Sequence, residues 1–377
     1  MQIKYKFNNY LSIFKHTVLG INFSTWVKLL VKHHFAIGFP FLLKGLSITL
    51  ISFFNIPFQL FEHLYYHKKI KATKLKPPIF ILGHPRSGTT YLHYVLSKDS
   101  QFAYCSTNDA LTPHVMLTAS NITEKILDKF MPATRPQDNV KAGAKLPKEE
   151  EFAMGNICLN SFVHGFYFPK YFKKIVDENV LFKSNNKKSK QQWKTNFHYF
   201  IQKLTLKNNG KQLLLKSPAN TGRLKEILEL YPNAKFIHIH RNPYDVYQSN
   251  VGLYEKILPI LSFHKVSNQF MEDFILYSYK AIHEKFIVDK NEIDKNQLFE
   301  ISYDDFISNP EEQLRKAYLH LKLDKFENAQ PNIREEIKSI KNYQPNTHSR
   351  LSEKATKAIN EKWKFVFEEY GYPIISL

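Results

Sequence analysis

Gly83-His84-Pro85-Arg86-Ser87-Gly88-Thr89-Thr90 brings together two glycines, one guanidinium and three hydroxyls within eight residues. That combination suits the holding of an anion. Glycine lets the backbone turn tightly and pass close to a ligand, so that free N–H groups converge on it. A guanidinium adds charge in a planar fork that matches phosphate or sulfate oxygens. Ile79-Phe80-Ile81-Leu82, behind Pro77-Pro78, predicts a short buried strand, and Thr89 to Leu92 predict the start of a helix. Strand, glycine loop and helix form a cradle in which the positive helix end adds to the N–H groups. A plain turn between strand and helix would not require Arg86 and the hydroxyls beside both glycines.

The spacing is close to Gly-x-x-x-x-Gly-Lys-Ser/Thr, but Thr89 stands at the lysine position and the cation, Arg86, lies inside the loop. The missing lysine normally reaches the outer phosphates of a nucleotide and its metal. The loop therefore predicts a phosphate-anchored nucleotide whose transferred group is not a γ-phosphate. A second anion site is predicted at Arg241-Asn242-Pro243-Tyr244-Asp245, with Ser249 about two turns into the helix that follows. Asn242 suits the N-cap, Pro243 the first helical position and Asp245 the first turn. Arg241 and Ser249 can then meet across one phosphate monoester; the competing reading is an arginine at the sheet edge and a serine in a core helix. Lys216 ends a third apolar run, Gln212–Lys216, where it is either a cation at the site or a surface lysine.

These residues need a scaffold that brings strand ends together. Gln212–Lys216, a helix through Tyr231 and the strand Ala234–His240 form a strand–helix–strand unit with short links, so the strands should lie parallel with a right-handed crossover. A strand at Leu298–Tyr303 and a helix from Pro310 continue the alternation. Phe102–Thr112 is expected to form a strand and loop, 121–131 a short helix, Lys183–Lys190 an exposed linker and 191–207 a helix. The expected fold is α/β, a doubly wound parallel sheet with ligand at the carboxyl ends of its strands.

Pro85-Arg86-Ser87-Gly88-Thr89-Thr90 closely resembles the 5'-phosphosulfate loop of sulfotransferases, and Arg241-Asn242-Pro243 with Ser249 resembles their 3'-phosphate site. Leu215-Lys216-Ser217-Pro218 and Tyr231-Pro232-Asn233-Ala234-Lys235-Phe236-Ile237 extend the likeness, which covers roughly Ile79 to Tyr303. The resemblance implies the P-loop-like sulfotransferase fold of the bacterial and Golgi carbohydrate and tyrosyl enzymes. It implies 3'-phosphoadenosine-5'-phosphosulfate as co-substrate, with no metal required. The donor would be held by Pro85, Arg86, Ser87, Gly88, Thr89, Thr90, Arg241, Ser249 and Tyr303, the last with core packing as its alternative.

A donor gripped at both phosphates points its sulfuryl group at one place. Transfer to a hydroxyl is then an in-line displacement, with charge growing on the bridging oxygen where Arg86, Lys216 and Thr89 can stabilise it. The acceptor hydroxyl needs a general base. Related enzymes with a base glutamate after the first helix would place it near Thr107 or Asn108, which are not acids. The expected base lies among Glu149, Glu150 and Glu151, whose Pro-x-Glu-Glu-Glu-Phe-Ala setting resembles a recurrent family feature, with Asp109 and His84 behind them. An acidic first helical turn after Pro147 is the structural alternative. Asn220 stands where many relatives have histidine. Lys341 and Arg350, in a polar loop before the last helix, contact either the nucleotide or solvent.

A chain of 377 residues with 43% hydrophobic and 15% aromatic residues can bury a real core. Two cysteines, Cys105 and Cys158, form no disulfide framework and suit a reducing compartment. A formal charge of +19 favours anionic partners: the nucleotide and an anionic membrane surface. No nucleic-acid recognition motif accompanies it. His238 and His240, with no third ligand, read as structural.

Residues 1–75 are apolar, aromatic and punctuated by lysine, and are expected to form an apolar helical, membrane-associating region ahead of a catalytic domain at 76–377. The run Phe35 to Phe61 is long enough to span a bilayer at ~1.5 Å per residue. Its flanks are basic on both sides, which fits helices lying in the interface or dipping in and back better than a crossing helix. A true span and a soluble helical cap are the alternatives. The expected enzyme acts on a hydroxyl of a carbohydrate, lipid or small molecule, membrane-associated with its catalytic part cytoplasmic. A P-loop kinase or NTPase, and a non-catalytic nucleotide-binding membrane module, are the rival readings.

Overall fold

The computed structural model of the chain describes residues 1–13, 16–135, 140–183, 187–340 and 351–377. Residues 136–139, part of the linker expected at 183–190, and the segment 341–350 with Lys341 and Arg350 lie outside the described residues. Two compact units are interleaved along the chain: one comprises 1–76, 104–212 and 254–271, the other 77–103, 213–253 and 272–377.

The second unit carries the sheet. Its strands are β1 (Ile79–Leu82), β2 (Phe102–Ala103), β3 (Gln212–Lys216), β4 (Lys235–His240) and β5 (Leu298–Ser302), ordered β2-β3-β1-β4-β5. β1 pairs parallel with both β3 and β4, and β4 parallel with β5. β1 and β3 carry apolar runs without alternation, and β4 alternates Ile237 and Ile239 with the buried His238, because both faces of the sheet are covered. Ile79, Ile81, Leu214, Ile237 and Ile239 pack on one side against Leu92, Val95 and the helices that carry Phe306, Leu314 and Ile333. On the other side Phe80 stacks on Phe236 with ring centroids 5.7 Å apart, and His238 lies 4.2 Å from the Phe286 ring. This is the doubly wound α/β arrangement expected. The central strand β1 places its glycine loop between the ends of β3 and β4, the switch point where such folds bind ligands.

The segment expected as strand and loop at 102–112 instead follows a two-residue strand with a helix at Thr107–Leu111. Ser106 and Asp109 form a reciprocal capping box there, which sets the helix start.

The first unit is helical. Residues 1–76 supply the helices Phe23–Lys32, Leu42–Phe54 and Ile56–Lys71, and share a core with the helices Glu150–Ile157, Phe172–Asn179 and Lys187–Lys207. Trp26 donates to Thr49, and the His16 ring nitrogen meets the Leu261 carbonyl at 2.7 Å. Two of the helices bury charge. Lys44 is fully buried and donates to the Ile260 carbonyl at 2.8 Å; burial lowers its pKa to about 8. The Glu62 carboxylate, also buried, lies 2.5 Å from Lys203 Nζ and accepts from the backbone N–H groups of Leu117 and Thr118. Among the described residues no single helix is long and apolar enough to cross a membrane. Phe39–Phe54 and Ile56–Lys71 together reach that length, bent by 43° at their junction.

Candidate active site

The glycine loop begins where β1 ends. Gly83 has φ 142°, and a Cβ there would stand 2.5 Å from the Ile239 carbonyl oxygen, so the loop can approach β4 only without a side chain. Its N–H donates to Thr221 Oγ1 at 2.8 Å, which ties the loop to the turn after β3. Arg86 follows with φ 76° and Gly88 with φ 96°. Two positive-φ residues so close together turn the loop sharply ahead of the helix, as anion-binding nests do, and the Ser87 N–H holds that turn by donating to the His84 carbonyl at 3.1 Å. The helix Thr89–Leu96 starts directly from Gly88, and Ser87 and Thr89 are buried beside it.

A Cβ on Gly88 would come within 2.5 Å of Tyr303 Cδ2. Gly88→Ala combines a disfavoured backbone with this overlap and is expected to cost about 2–4 kcal/mol. Calorimetric unfolding of the purified variant checks the value.

The second cation site closes on the first. Arg86 Nε donates to Ser249 Oγ at 2.8 Å, and Arg241 Nη1 lies 3.4 Å from the Arg86 carbonyl oxygen. Arg241 stacks its guanidinium 4.3 Å from the Tyr303 ring centre and pairs with Asp245 at 3.2 Å. Its Nε is buried with no hydrogen-bond partner among the described residues, a donor directed at no protein acceptor. Asn242 caps its helix by accepting from the Tyr244 N–H, as the spacing predicts. Lys216 is buried at the end of β3, with Nζ 3.5 Å from Thr90 Oγ1, so it belongs to the same cluster and is not a surface lysine.

Pro85 to Thr90, Lys216, Arg241, Ser249 and Tyr303 are thus gathered at the carboxyl ends of neighbouring strands in one unit. Two residues with no role expected at this site hold the cluster: Thr221, which the sequence offers with Asn220 only as a helix cap, and Asn250, whose amide donates to the Pro85 carbonyl at 3.0 Å. The only sequence signal for either was a small polar residue next to a recognised motif.

The candidate bases are divided between the two units. In the first unit, Glu149 sits at the N-cap of the helix Glu150–Ile157, half-buried, while Glu150 and Glu151 are buried in its first turn. Glu151 Oε1 accepts from the Phe162 N–H at 2.6 Å and from Ser161 Oγ at 2.9 Å, so its carboxylate anchors that loop. Asp109 is held by Lys207 at 2.5 Å and by its capping box. His84, in the second unit, is enclosed by Tyr279 and His283; burial lowers its pKa to about 3, leaving a weak proton acceptor at neutral pH.

The glycine loop at a switch point, with paired guanidinium and hydroxyl groups, is an arrangement suited to holding an anionic group. A family model described as the sulfotransferase family matches residues 77–328, and the chain belongs to that family. It is 29% identical over 359 residues to the omega-hydroxy-beta-dihydromenaquinone-9 sulfotransferase Stf3 of Mycobacterium bovis, with 94% of this chain and 90% of that protein covered. The protein of the same name from Mycobacterium tuberculosis matches equally. Among solved structures, sulfotransferase STF9 of Mycobacterium avium superposes with a TM-score of 0.62 at 17% identity, covering 83% of this chain and 82% of that one. Sulfotransferase STF1 of Mycobacterium tuberculosis H37Rv gives 0.60 at 16% identity, covering 89% of this chain and 99% of that one. At these identities the two structures show a shared fold.

Proposed function

We propose that this sulfotransferase moves the sulfuryl group of 3'-phosphoadenosine-5'-phosphosulfate to a hydroxyl group on a membrane-resident lipid of the isoprenoid or quinol class. The observation that carries the donor is the contact of Arg86 with Ser249 beside Arg241. The 3'- and 5'-oxygens of one ribose are close neighbours, and two touching cation sites suit that spacing. The relative Stf3, named as an omega-hydroxy-beta-dihydromenaquinone-9 sulfotransferase, supports the acceptor class.

In this reading the loop N–H groups and Arg86 hold the 5'-phosphosulfate, while Arg241 and Ser249 hold the 3'-phosphate. The acceptor oxygen attacks sulfur as the bond from sulfur to the bridging phosphate oxygen breaks. The electron pair and its charge pass to the 5'-phosphate of the departing bisphosphate, facing Lys216, Arg86 and Thr89. The hydroxyl proton goes to a carboxylate, for which the cluster Glu149, Glu150 and Glu151 is proposed on the family resemblance of its setting; Glu151 also accepts from the Phe162 N–H and the Ser161 hydroxyl. Two unlinked, buried cysteines support a cytoplasmic position for the catalytic part.

Transfer of radiolabelled sulfate from this donor to extracted lipids tests the reading. Arg241→Ala is expected to raise the donor KM about 10–100-fold, the worth of one charged hydrogen bond. Glu149→Gln, Glu150→Gln or Glu151→Gln is expected to lower kcat by ~10²–10⁴. Transfer indifferent to Arg241 would overturn the donor assignment.

A further inference from the structure

The helices Leu42–Phe54 and Ile56–Lys71 are built inside out. At 100° per residue, Leu42, Leu43, Leu46, Leu50, Phe53 and Phe54 occupy one arc of roughly 120°, and all six are about half exposed or more. The opposite arc holds Lys44, Gly45, Ile48 and Ser52, all buried. The next helix repeats the inversion, with Phe58, Leu60, Phe61, Leu64 and Tyr65 facing out and Glu62 buried. In water a helix should show the reverse pattern. A continuous outward apolar face on two consecutive helices marks a contact surface.

Charge specifies the occupant. Residues 1–76 contain eleven lysines and one carboxylate, Glu62. That carboxylate is buried against Lys203, so this segment exposes no negative side chain. Lys68, Lys69, Lys71, Lys74 and Lys76 are exposed just past the apolar face, and Lys28 is exposed on the preceding helix. Lys69 Nζ lies 5.2 Å from the Tyr65 ring centre, an aromatic and ammonium pair suited to the headgroup level. Attachments on the inner side decide the orientation. Lys44 is bonded to the Ile260 carbonyl, Trp26 to Thr49, and Glu62 to Lys203, Leu117 and Thr118. A crossing pair would carry these polar partners into hydrocarbon, whereas a pair lying flat exposes to lipid only its outward face.

We propose that the outward face of these two helices is the surface by which the protein docks, in plane and on one side, onto an anionic lipid bilayer. The face sits ~5–10 Å deep, at the boundary of headgroups and acyl chains, and the lysines past its end meet anionic headgroups. This goes beyond the sulfuryl-transfer reading and does not depend on it.

Flotation of the full chain with vesicles tests the proposal, with neither donor nor acceptor present, so its failure and that of the transfer reading are separable. Vesicles with about a third phosphatidylglycerol should carry the protein up, and pure phosphatidylcholine should carry at least tenfold less. Lys68→Gln/Lys69→Gln/Lys71→Gln should weaken partition on the order of a hundredfold, at about fivefold for each lysine. Phe54→Ser/Phe58→Ser/Phe61→Ser should weaken it on both lipids while leaving the buried-tryptophan fluorescence of the helical unit, from Trp26 and Trp193, intact, which certifies folding. Lys28→Cys and Lys71→Cys should both react with an impermeant maleimide added outside. No flotation with anionic vesicles overturns the docking. A protected cysteine overturns the in-plane geometry in favour of a crossing pair. A vesicle-indifferent dimer that the triple-serine variant makes monomeric overturns it in favour of a second copy.

Discussion

Replacing Arg86 by glycine is expected to remove sulfuryl transfer while leaving a protein more stable than the Arg86→Ala variant. The two effects come from different parts of the residue. The guanidinium faces the proposed 5'-phosphosulfate and is anchored through Nε to Ser249 at 2.8 Å. Loss of such a preorganised charged donor costs on the order of 10²–10³ in kcat, and weaker donor binding adds to the fall in kcat/KM. The backbone, at φ 76°, is in a region where an L-residue is held against its preference by ~1–2 kcal/mol. Both variants lose the Ser249 bond, so that loss cancels between them. Glycine relieves the backbone but gains freedom when unfolded, which returns ~0.5–1 kcal/mol. The glycine variant should therefore exceed the alanine variant by up to about 1 kcal/mol in chemical denaturation, and both should be inactive in single-turnover transfer. Turnover by Arg86→Gly within a few-fold of wild type would remove Arg86 from the chemistry.

Glu62→Ala should be the most damaging single change in the helical unit. It strips Lys203 of its carboxylate partner at 2.5 Å, leaving that ammonium the Pro113 carbonyl, and leaves the Leu117 and Thr118 N–H groups without their acceptor. Breaking a buried ion pair from one side costs about 3–5 kcal/mol. Trp26 and Trp193 both lie in this unit and report its unfolding by fluorescence. The pH dependence has a definite sign. Burial already lowers the Lys203 pKa, and Glu62 opposes that shift. Without Glu62 the folded pKa falls further below the unfolded value of about 10.4. Between those two values the unfolded chain binds more protons than the folded one, so stability rises with pH. The penalty should accordingly be largest near pH 7 and shrink by pH 9.5. A penalty that is small at pH 7, or that grows with pH, would show Lys203 to be satisfied by other groups.

The sheet and the anion loop were legible because their signals are local. Ile79–Leu82 and Lys235–His240 are apolar runs bounded by proline or turn residues, and the Gly83 to Gly88 loop needs its glycines for reasons visible one residue at a time. Asn242 and Pro243 likewise announced a helix start. What was not legible depends on partners distant in sequence. Strand β2 is two residues long, too short for periodicity to detect. Thr221 and Asn250 gain their roles only when β1 and β3 lie side by side and the helix after β4 folds back on Pro85. Lys44 and Glu62 are buried, which nothing in an apolar run punctuated by charge announces. Composition reports how apolar a helix is, and only tertiary contact reports which way it is turned. The three consecutive glutamates taken as candidate bases include one whose carboxylate is spent on a loop, a distinction no spacing rule carries.

The weave of the helical unit from three stretches of chain has a consequence for ancestry. An oily leading segment that merely tethered a protein could be shed, swapped or borrowed between lineages as a cassette. Here the leading 76 residues share their interior with residues 104–212 and 254–271. A truncated polypeptide beginning at Pro77 would leave Lys203 and the Ile260 carbonyl facing a gap, and its remaining helices would lack their inner lining. Substitutions within residues 1–76 that reshape this interior are therefore expected to need matching changes in 104–212 or 254–271.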